Sequence, residues 1–366
     1  MAEARPLRLA LVLGTSAGGV GRHVAALAEG LAGAGHDVLV CGPAATAETF
    51  GFAAAGARFV PVEVTDRPRP VGDLRAVARL RSLLRGADVV HAHGLRAGGL
   101  AVLAVRSLGR ARPRLVVTLH NALLARGSVA LAYGVLERVV ARGADDVLGV
   151  SADLEERMRS LGAARVGHAV VPAPVGAPAR RTPEQVRADL GVAGPLVVTV
   201  ARLAEQKGLP LLLDAAALLA GRTPAPVFVV AGDGPLEASL RARIDAESLP
   251  VRLLGRRSDV AELFAAADVA TCPSVWEGQP LVVQEALRAG APLVATAVGG
   301  VPEMVGDAAV LVPYGDPAAL AAAVGRLLDD PAERARLSAA ARERAASFPD
   351  DAAAVAAALA VYRARG

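Results

Sequence analysis

Ser274-Val275-Trp276-Glu277-Gly278-Gln279-Pro280-Leu281-Val282-Val283-Gln284-Glu285-Ala286 follows a short apolar run that ends at Cys272. The run reads as a buried strand. Gly278 and Pro280 read as punctuation, and the residues after Pro280 as a helix carrying Glu285 in its first turn or just beyond. Strand, tight loop and helix in that order form one unit of a doubly wound α/β sheet, whose ligands bind beyond the carboxyl ends of the strands. The helix start presents unpaired backbone N–H groups and the positive end of the helix dipole, a seat for a diphosphate. A carboxylate further along, Glu285, can accept hydrogen bonds from a ribose diol. Taken alone, Glu285 reads more plainly as an acid that favours the helix dipole.

Outward from this stretch the alternation continues in both directions. Residues 196–200, 227–231, 251–254, 293–296 and 309–312 read as further strands, and the Ala-rich tail at 317–365 as three helical pieces. Towards the amino terminus, 9–13, 36–41, 58–64, 88–93, 115–120 and 146–151 read as strands. Helices are expected from the Gly-rich loop at Gly14–Gly21 to about Gly33 and over 71–85. Near-continuous apolar strands between helices predict parallel sheets covered on both faces. Pro and Gly cluster at 171–178, followed by Arg180-Arg181-Thr182-Pro183, which predicts a linker. The expectation is two doubly wound parallel-sheet units of similar size, facing across a cleft, with no sequence repeat relating them.

The 366 residues suffice for two domains, and 53% hydrophobic content gives each a core, built from Ala, Val and Leu because aromatics are only 3%. A net charge of +4, without blocks of like charge, argues against a nucleic-acid partner. Cys41 and Cys272 are far apart and predicted at strand ends, so they read as buried free thiols in a reducing compartment. The start of the chain lacks a signal-peptide apolar region, and no apolar run is long enough to span a membrane. A cytoplasmic protein is expected, with contact at the inner membrane face left open.

Lys207 is the only lysine in a chain that otherwise uses Arg. It lies in Val200-Ala201-Arg202-Leu203-Ala204-Glu205-Gln206-Lys207-Gly208, where a strand end is followed by two cations and a helix. Cations there can neutralise a leaving diphosphate. Ala231-Gly232-Asp233-Gly234-Pro235-Leu236-Glu237 repeats the strand, Gly turn and helix pattern; a plain turn with Asp233 as its cap explains it equally well. Gly18-Gly19-Val20-Gly21 opens the first helix but matches neither the Walker A nor the dinucleotide glycine spacing. His120 closes a strong strand at its ligand-facing end, ahead of Asn121. His91 and His93 share one side of the preceding strand; structural or acceptor-side roles fit them better than a metal, for which no third ligand stands at suitable spacing.

In this order, these residues resemble the pattern of glycosyltransferase family 4, of the GT-B fold, over nearly the whole chain. The most specific part is Glu277-x7-Glu285, continued by Ala286 to Glu303 with Gly299-Gly300 inside it. The resemblance implies retaining transfer from a UDP- or GDP-sugar, in which the departing phosphate oxygen assists deprotonation of the acceptor, without a metal or other cofactor. It implies that Arg202 and Lys207 bind the donor diphosphate, Glu285 the ribose, and Glu277 the transferred sugar. Backbone amides from Gly278 through Gln279, Pro280 and Leu281 to Val282 would hold sugar hydroxyls and phosphate. Gly18, Gly19 and Gly232 would approach the donor, and His120 would lie close to the reacting centre. Domains are expected at 1–175 for the acceptor and 184–348 for the donor, with a helix at 349–366 crossing back. Gln279 departs from the apolar or small residue usual in this loop, which bears on the identity of the sugar.

A nucleotide-sugar 2-epimerase shares this fold but would need more acids and histidines around the sugar. A sugar-nucleotide-binding protein without turnover is the non-enzymatic rival. Against it, every position expected of an active enzyme is filled. The glycine spacing disfavours a nicotinamide dehydrogenase. The acceptor, small or lipid-linked, is expected to be chosen by the segments around Gly18, 67–70, Gly94–Arg96 and 121–127. Arg126, Arg138 and Arg142 flank an apolar stretch at 129–140. An amphipathic helix packing on the sheet is the plainer reading, a lipid-surface face the other.

Overall fold

A computed structural model describes residues 5–16, 18–65, 68–122, 127–173 and 179–364. The chain divides into two compact units, one of residues 1–172 with 349–366, the other of residues 173–348. The linker expected at 171–178, and with it the boundary expected at 175, falls mostly outside the described residues.

The first unit runs β1 (Arg8–Leu13), α1 (Gly19–Gly33), β2 (Asp37–Gly42), α2 (Ala44–Phe50), β3 (Arg58–Pro61), α3 (Pro70–Leu83), β4 (Val89–His93), α4 (Leu95–Arg106), β5 (Arg114–Leu119), α5 (Gly127–Gly143), β6 (Asp146–Gly149), α6 (Ala152–Ser160) and β7 (Val166–His168). Its sheet is parallel throughout, in the order β3-β2-β1-β4-β5-β6-β7. Order reverses between β1 and β4, where Leu13 pairs with His93 at the carboxyl edge. Helix α1 buries Val24, Leu27, Ala28 and Leu31, a stripe at helical spacing that also includes His23, one turn before Leu27. Helix α2 and the short strand β7 are elements the apolar pattern does not announce. Both are brief, and β7 is only partly buried.

The second unit runs α7 (Pro183–Asp189), β8 (Leu196–Val200), α8 (Leu209–Leu219), β9 (Val227–Ala231), α9 (Glu237–Ala246), β10 (Val251–Gly255), α10 (Val260–Ala266), β11 (Val269–Cys272), α11 (Leu281–Arg288), β12 (Leu293–Thr296), α12 (Val301–Val305), β13 (Ala309–Val312), α13 (Pro317–Asp329) and α14 (Pro331–Ala346). Its sheet order is β10-β9-β8-β11-β12-β13, also parallel, with reversal between β8 and β11. Two apolar layers flank it. One centres on Leu212, Phe228 and Val324, the other on Val198, Phe264 and Leu287. The last helix, α15 (Asp351–Arg363), returns to the first unit and packs on α1.

The tail is divided by three N-caps. Asp316, Asp330 and Asp350 each accept the N–H three residues on, at 2.8–2.9 Å. Helices α1, α4, α8, α11 and α12, which open at the carboxyl edges of the sheets, begin instead behind Gly or Pro and have no side-chain cap. Their first N–H groups are left for other partners.

Candidate active site

At the carboxyl edge of the second sheet, the loops after β8 and β11 lie side by side because those strands are neighbours at the reversal. Val275 N–H donates to the Gln206 carbonyl at 2.8 Å, and Gln206 Nε2 to the Trp276 carbonyl at 3.0 Å. This pairing sets Lys207 Nζ 2.6 Å from Oε1 of Glu277. Ser274 Oγ donates to the same oxygen at 2.6 Å, and Thr296 Oγ1 holds the Ser274 carbonyl at 2.6 Å. Glu277 is only 5% exposed, so its charge is compensated by these two donors rather than by water.

The Glu277 carbonyl accepts from Gly300 N–H at 2.9 Å. Gly299 makes this approach feasible. It has φ +51°, and a Cβ there would fall 1.9 Å from the Glu277 carbonyl oxygen. Gly232 plays the same part for the other loop. At φ +146°, its missing Cβ would fall 1.9 Å from the Ala201 carbonyl oxygen, directly before Arg202. Leu203 N–H meets the Asp233 carbonyl at 2.8 Å, so the Gly turn braces the Arg202 loop. The Arg202 side chain is exposed and makes no hydrogen bond or ion pair among the described residues.

Past Glu277, Gly278 and Pro280 are buried, and Gln279, Leu281 and Val282 are half-buried. Pro280 caps α11 without a side-chain hydrogen bond. The N–H groups of Leu281 and Val282 have no carbonyl partner among the described residues, whereas Val283 N–H turns back to Pro280 at 3.1 Å. Glu285, half-buried, is the fifth residue of the helix. On its inner side Gln284 accepts from Ala173 N–H at 2.9 Å, and Arg288 donates to the Ala173 carbonyl at 2.8 Å, tying the entering chain to α11. Burial pushes the Cys272 thiol up to about 11, with the Glu277 charge adding to the shift, and burial pushes Cys41 up to about 12. Both shifts disfavour the thiolate, the nucleophilic form.

In the first unit, Gly18 caps α1 and Gly19 is its first residue; Ser16 Oγ accepts the Gly21 N–H at 3.0 Å. One turn on, His23 faces His93 and His120 edge-on, each with ring centres 5.7 Å away. His91 and His93 do share one side of β4, their rings 4.1 Å apart. Burial holds His23 down to about 4 and His91 to about 3, with His93 and His120 well below the usual histidine range. Tyr362 of α15 joins this group through His91. Sequence reasoning missed His23, Tyr362, Ser274 and Gln284. The available signal was a histidine on the apolar stripe of α1 and small polar residues at strand ends.

Arg96, in an expected acceptor segment, is paired with Asp73 at 2.7 Å and the Thr65 carbonyl at 3.2 Å. The segments at 67–70 and 121–127 lie partly outside the described residues, as does Arg126. Helix α5 buries Val140 and Ala141 while leaving Leu131 and Val135 at 72% and 54% exposure. No described helix is long and apolar enough to cross a membrane.

Two doubly wound parallel units, with a helix from the chain's end returned to the first, define the GT-B class. Residues 18–174 match the model of the glycosyl transferase 4-like domain, and residues 184–344 that of the glycosyl transferases group 1. Glycogen synthase of Mycobacterium tuberculosis is 30% identical, covering 90% of this chain and 87% of its own. The D-inositol 3-phosphate glycosyltransferase of Xylanimonas cellulosilytica is 34% identical, covering 74% and 70%. Among solved structures, Anabaena HepE in complex with UDP and glucose superposes with a TM-score of 0.82 at 22% identity, covering 98% of this chain and 100% of that one. Sucrose-phosphate synthase of Thermosynechococcus elongatus gives 0.79 at 21%, covering 97% and 98%. The chain belongs to the group 1 glycosyltransferases of family 4, and it is a glycosyltransferase.

Proposed function

We propose that the protein transfers a sugar from a nucleoside-diphosphate donor, UDP- or GDP-linked, with retention and without a metal ion. The observation that carries this reading is the grouping of Arg202, Lys207 and the uncapped start of α11 at one sheet edge. A diphosphate there meets two cations and the free N–H groups of Leu281 and Val282, all acting on the charge that grows as the glycosidic bond breaks. Lys207 is shared with Glu277, so it is held in place before the donor arrives, while Arg202 is free to close on the phosphate. Glu285 takes the ribose. Glu277 and the amides from Gly278 to Val282 take the sugar, with Gln279 bearing on its identity. Gly18, Gly19 and Gly232 allow close backbone approach, and His120 acts at the sugar.

In the retaining step the anomeric carbon–oxygen bond to the diphosphate breaks, the acceptor oxygen bonds to the same face of that carbon, and the acceptor proton passes to the departing phosphate oxygen. Relatives support the donor class: HepE is solved with UDP-glucose, and a 31% identical Escherichia coli relative is a UDP-Gal galactosyltransferase. The acceptor, small or lipid-linked, is chosen in the first unit. Leu131 and Val135 beside exposed Arg138 offer a face for a lipid surface.

A thermal-shift screen with UDP, GDP, ADP and their sugars, with and without EDTA, tests the reading. A cognate nucleotide at one hundred times its Kd stabilises the fold by about 2.7 kcal/mol. Failure of every nucleoside diphosphate removes the donor assignment, and a shift or turnover that EDTA abolishes and magnesium restores removes the metal-free step.

A further inference from the structure

His91 and His93 alternate along β4, and Thr118 and His120 alternate along β5 and just past its end, so these side chains share a face of the first sheet. Helix α1 brings His23 to that face and α15 brings Tyr362. The polar atoms there form two chains. Tyr362 Oη and Thr118 Oγ1 take both nitrogens of His91, at 2.6 and 2.7 Å. Separately, His93 Nδ1 lies 3.2 Å from His120 Nε2, with 28° between the ring planes.

Burial depresses the proton affinity of both rings of the second pair and so favours their neutral forms. Two neutral ring nitrogens stay at this distance only if one carries a proton and the other a lone pair. In either tautomer, Nε2 of His120 is consumed by His93. The other nitrogen of His93, Nε2, is the one buried side-chain nitrogen or oxygen without a partner among the described residues. Leaving a buried polar atom unpaired costs stability, so the fold keeps this imidazole at a loss. His120 is the most exposed of the four histidines at this edge, at 9%, and its Nδ1 has no partner among the described residues.

We propose that His93 is a positioning residue that holds Nε2 of His120, so that His120 meets a ligand hydroxyl through Nδ1 alone. The ligand half of this inference rests on the sugar role proposed above for His120; the hold of His93 does not. A ring that could turn freely would offer either nitrogen, at different depths. Tied at Nε2, it presents one atom in one direction.

The hold is tested on the 15N-histidine-labelled full chain without any substrate. A scalar coupling across the hydrogen bond between His93 Nδ1 and His120 Nε2 is expected in the wild type. It should vanish in His93→Leu, while His93→Asn, whose amide reaches the place of Nδ1, should retain the wild-type chemical shift at His120 Nδ1. Absence of the coupling in the folded wild type overturns the hold. For the ligand half, His120→Asn keeps a polar group at the place of Nδ1 and His120→Gln at that of Nε2. With the donor found by the nucleotide screen, His120→Asn should turn over about tenfold faster than His120→Gln. The reverse order overturns the use of Nδ1. Wild-type rates in both variants, with the coupling present, remove His120 from the reacting centre and so overturn the ligand half, leaving the hold supported.

Discussion

Lys207 and Glu277 stand 70 positions apart in the chain, and their side chains meet at 2.6 Å, where Ser274 joins them on the same carboxylate oxygen. Glu277 is nearly enclosed while Lys207 keeps 23% of its side-chain surface, so the acid depends on the base more than the reverse. Lys207→Ala should therefore cost about 1–2 kcal/mol, below the range for a fully buried pair because water reaches this site. With Glu277→Gln, a double-mutant cycle on unfolding of the second unit should give a coupling of about 1 kcal/mol. A coupling indistinguishable from zero would show that the pair does not form in solution.

The same lysine bears on turnover. Lys207→Ala and Glu285→Ala should each slow transfer by on the order of 100-fold or more, about 2.7 kcal/mol of barrier. Steady-state rates with the donor identified by the nucleotide screen measure this. Near-wild-type rates in both variants would retire the donor-site assignment.

The histidine group of the first unit makes stability depend on pH. His23 is held down to about 4 and His91 to about 3, against an unfolded value of about 6.5. Because the folded values are depressed, the unfolded chain binds more protons below about 6.5. Stability is therefore complete above that pH and is lost as pH falls towards the folded values. Each such histidine contributes a slope approaching 1.4 kcal/mol per pH unit across that window. Chemical unfolding of the first unit at about pH 7.5 and about pH 5 should show a loss steeper than one proton explains, and His23→Gln should reduce the slope. A flat profile would contradict the burial of these rings.

Gly299 should tolerate no side chain. At φ +51° and with the Glu277 carbonyl oxygen 1.9 Å from where a Cβ would stand, Gly299→Ala must move the loop that carries Glu277. A loss of about 2–3 kcal/mol is expected, combining the left-handed backbone penalty with the displaced contact. Nucleotide affinity should weaken as well. Calorimetry and nucleotide titration check both, and an unchanged melting temperature would show that the close approach is absent in solution.

Much of this was legible in the chain itself. Apolar runs such as Leu196–Val200 and Leu115–Leu119, short and lying between helical stretches, read as buried strands, and Asp-Pro at 316–317 and 330–331 divides the tail into its helices. The lone lysine and the Glu277 loop stood out by composition and punctuation. Strand β7 did not, because a short, half-buried strand carries little apolar pattern. Nor did Ser274, whose importance comes from the carboxylate its hydroxyl reaches rather than from any spacing.

The sequence by itself determined which residues lie in loops at the carboxyl ends of strands, since strand period and helix period are local properties of the chain. Only the tertiary structure decided which loops are neighbours. Strand order is settled by non-local packing, and placing β11 beside β8 turns Lys207 and Glu277 from two separate charges into one ion pair. In the same way, the return of α15 puts Tyr362 against His91, 271 positions away, and α1 brings His23 to the same face. No local pattern encodes such meetings, because their free energy comes from surfaces that exist only after the sheet and its helices have packed.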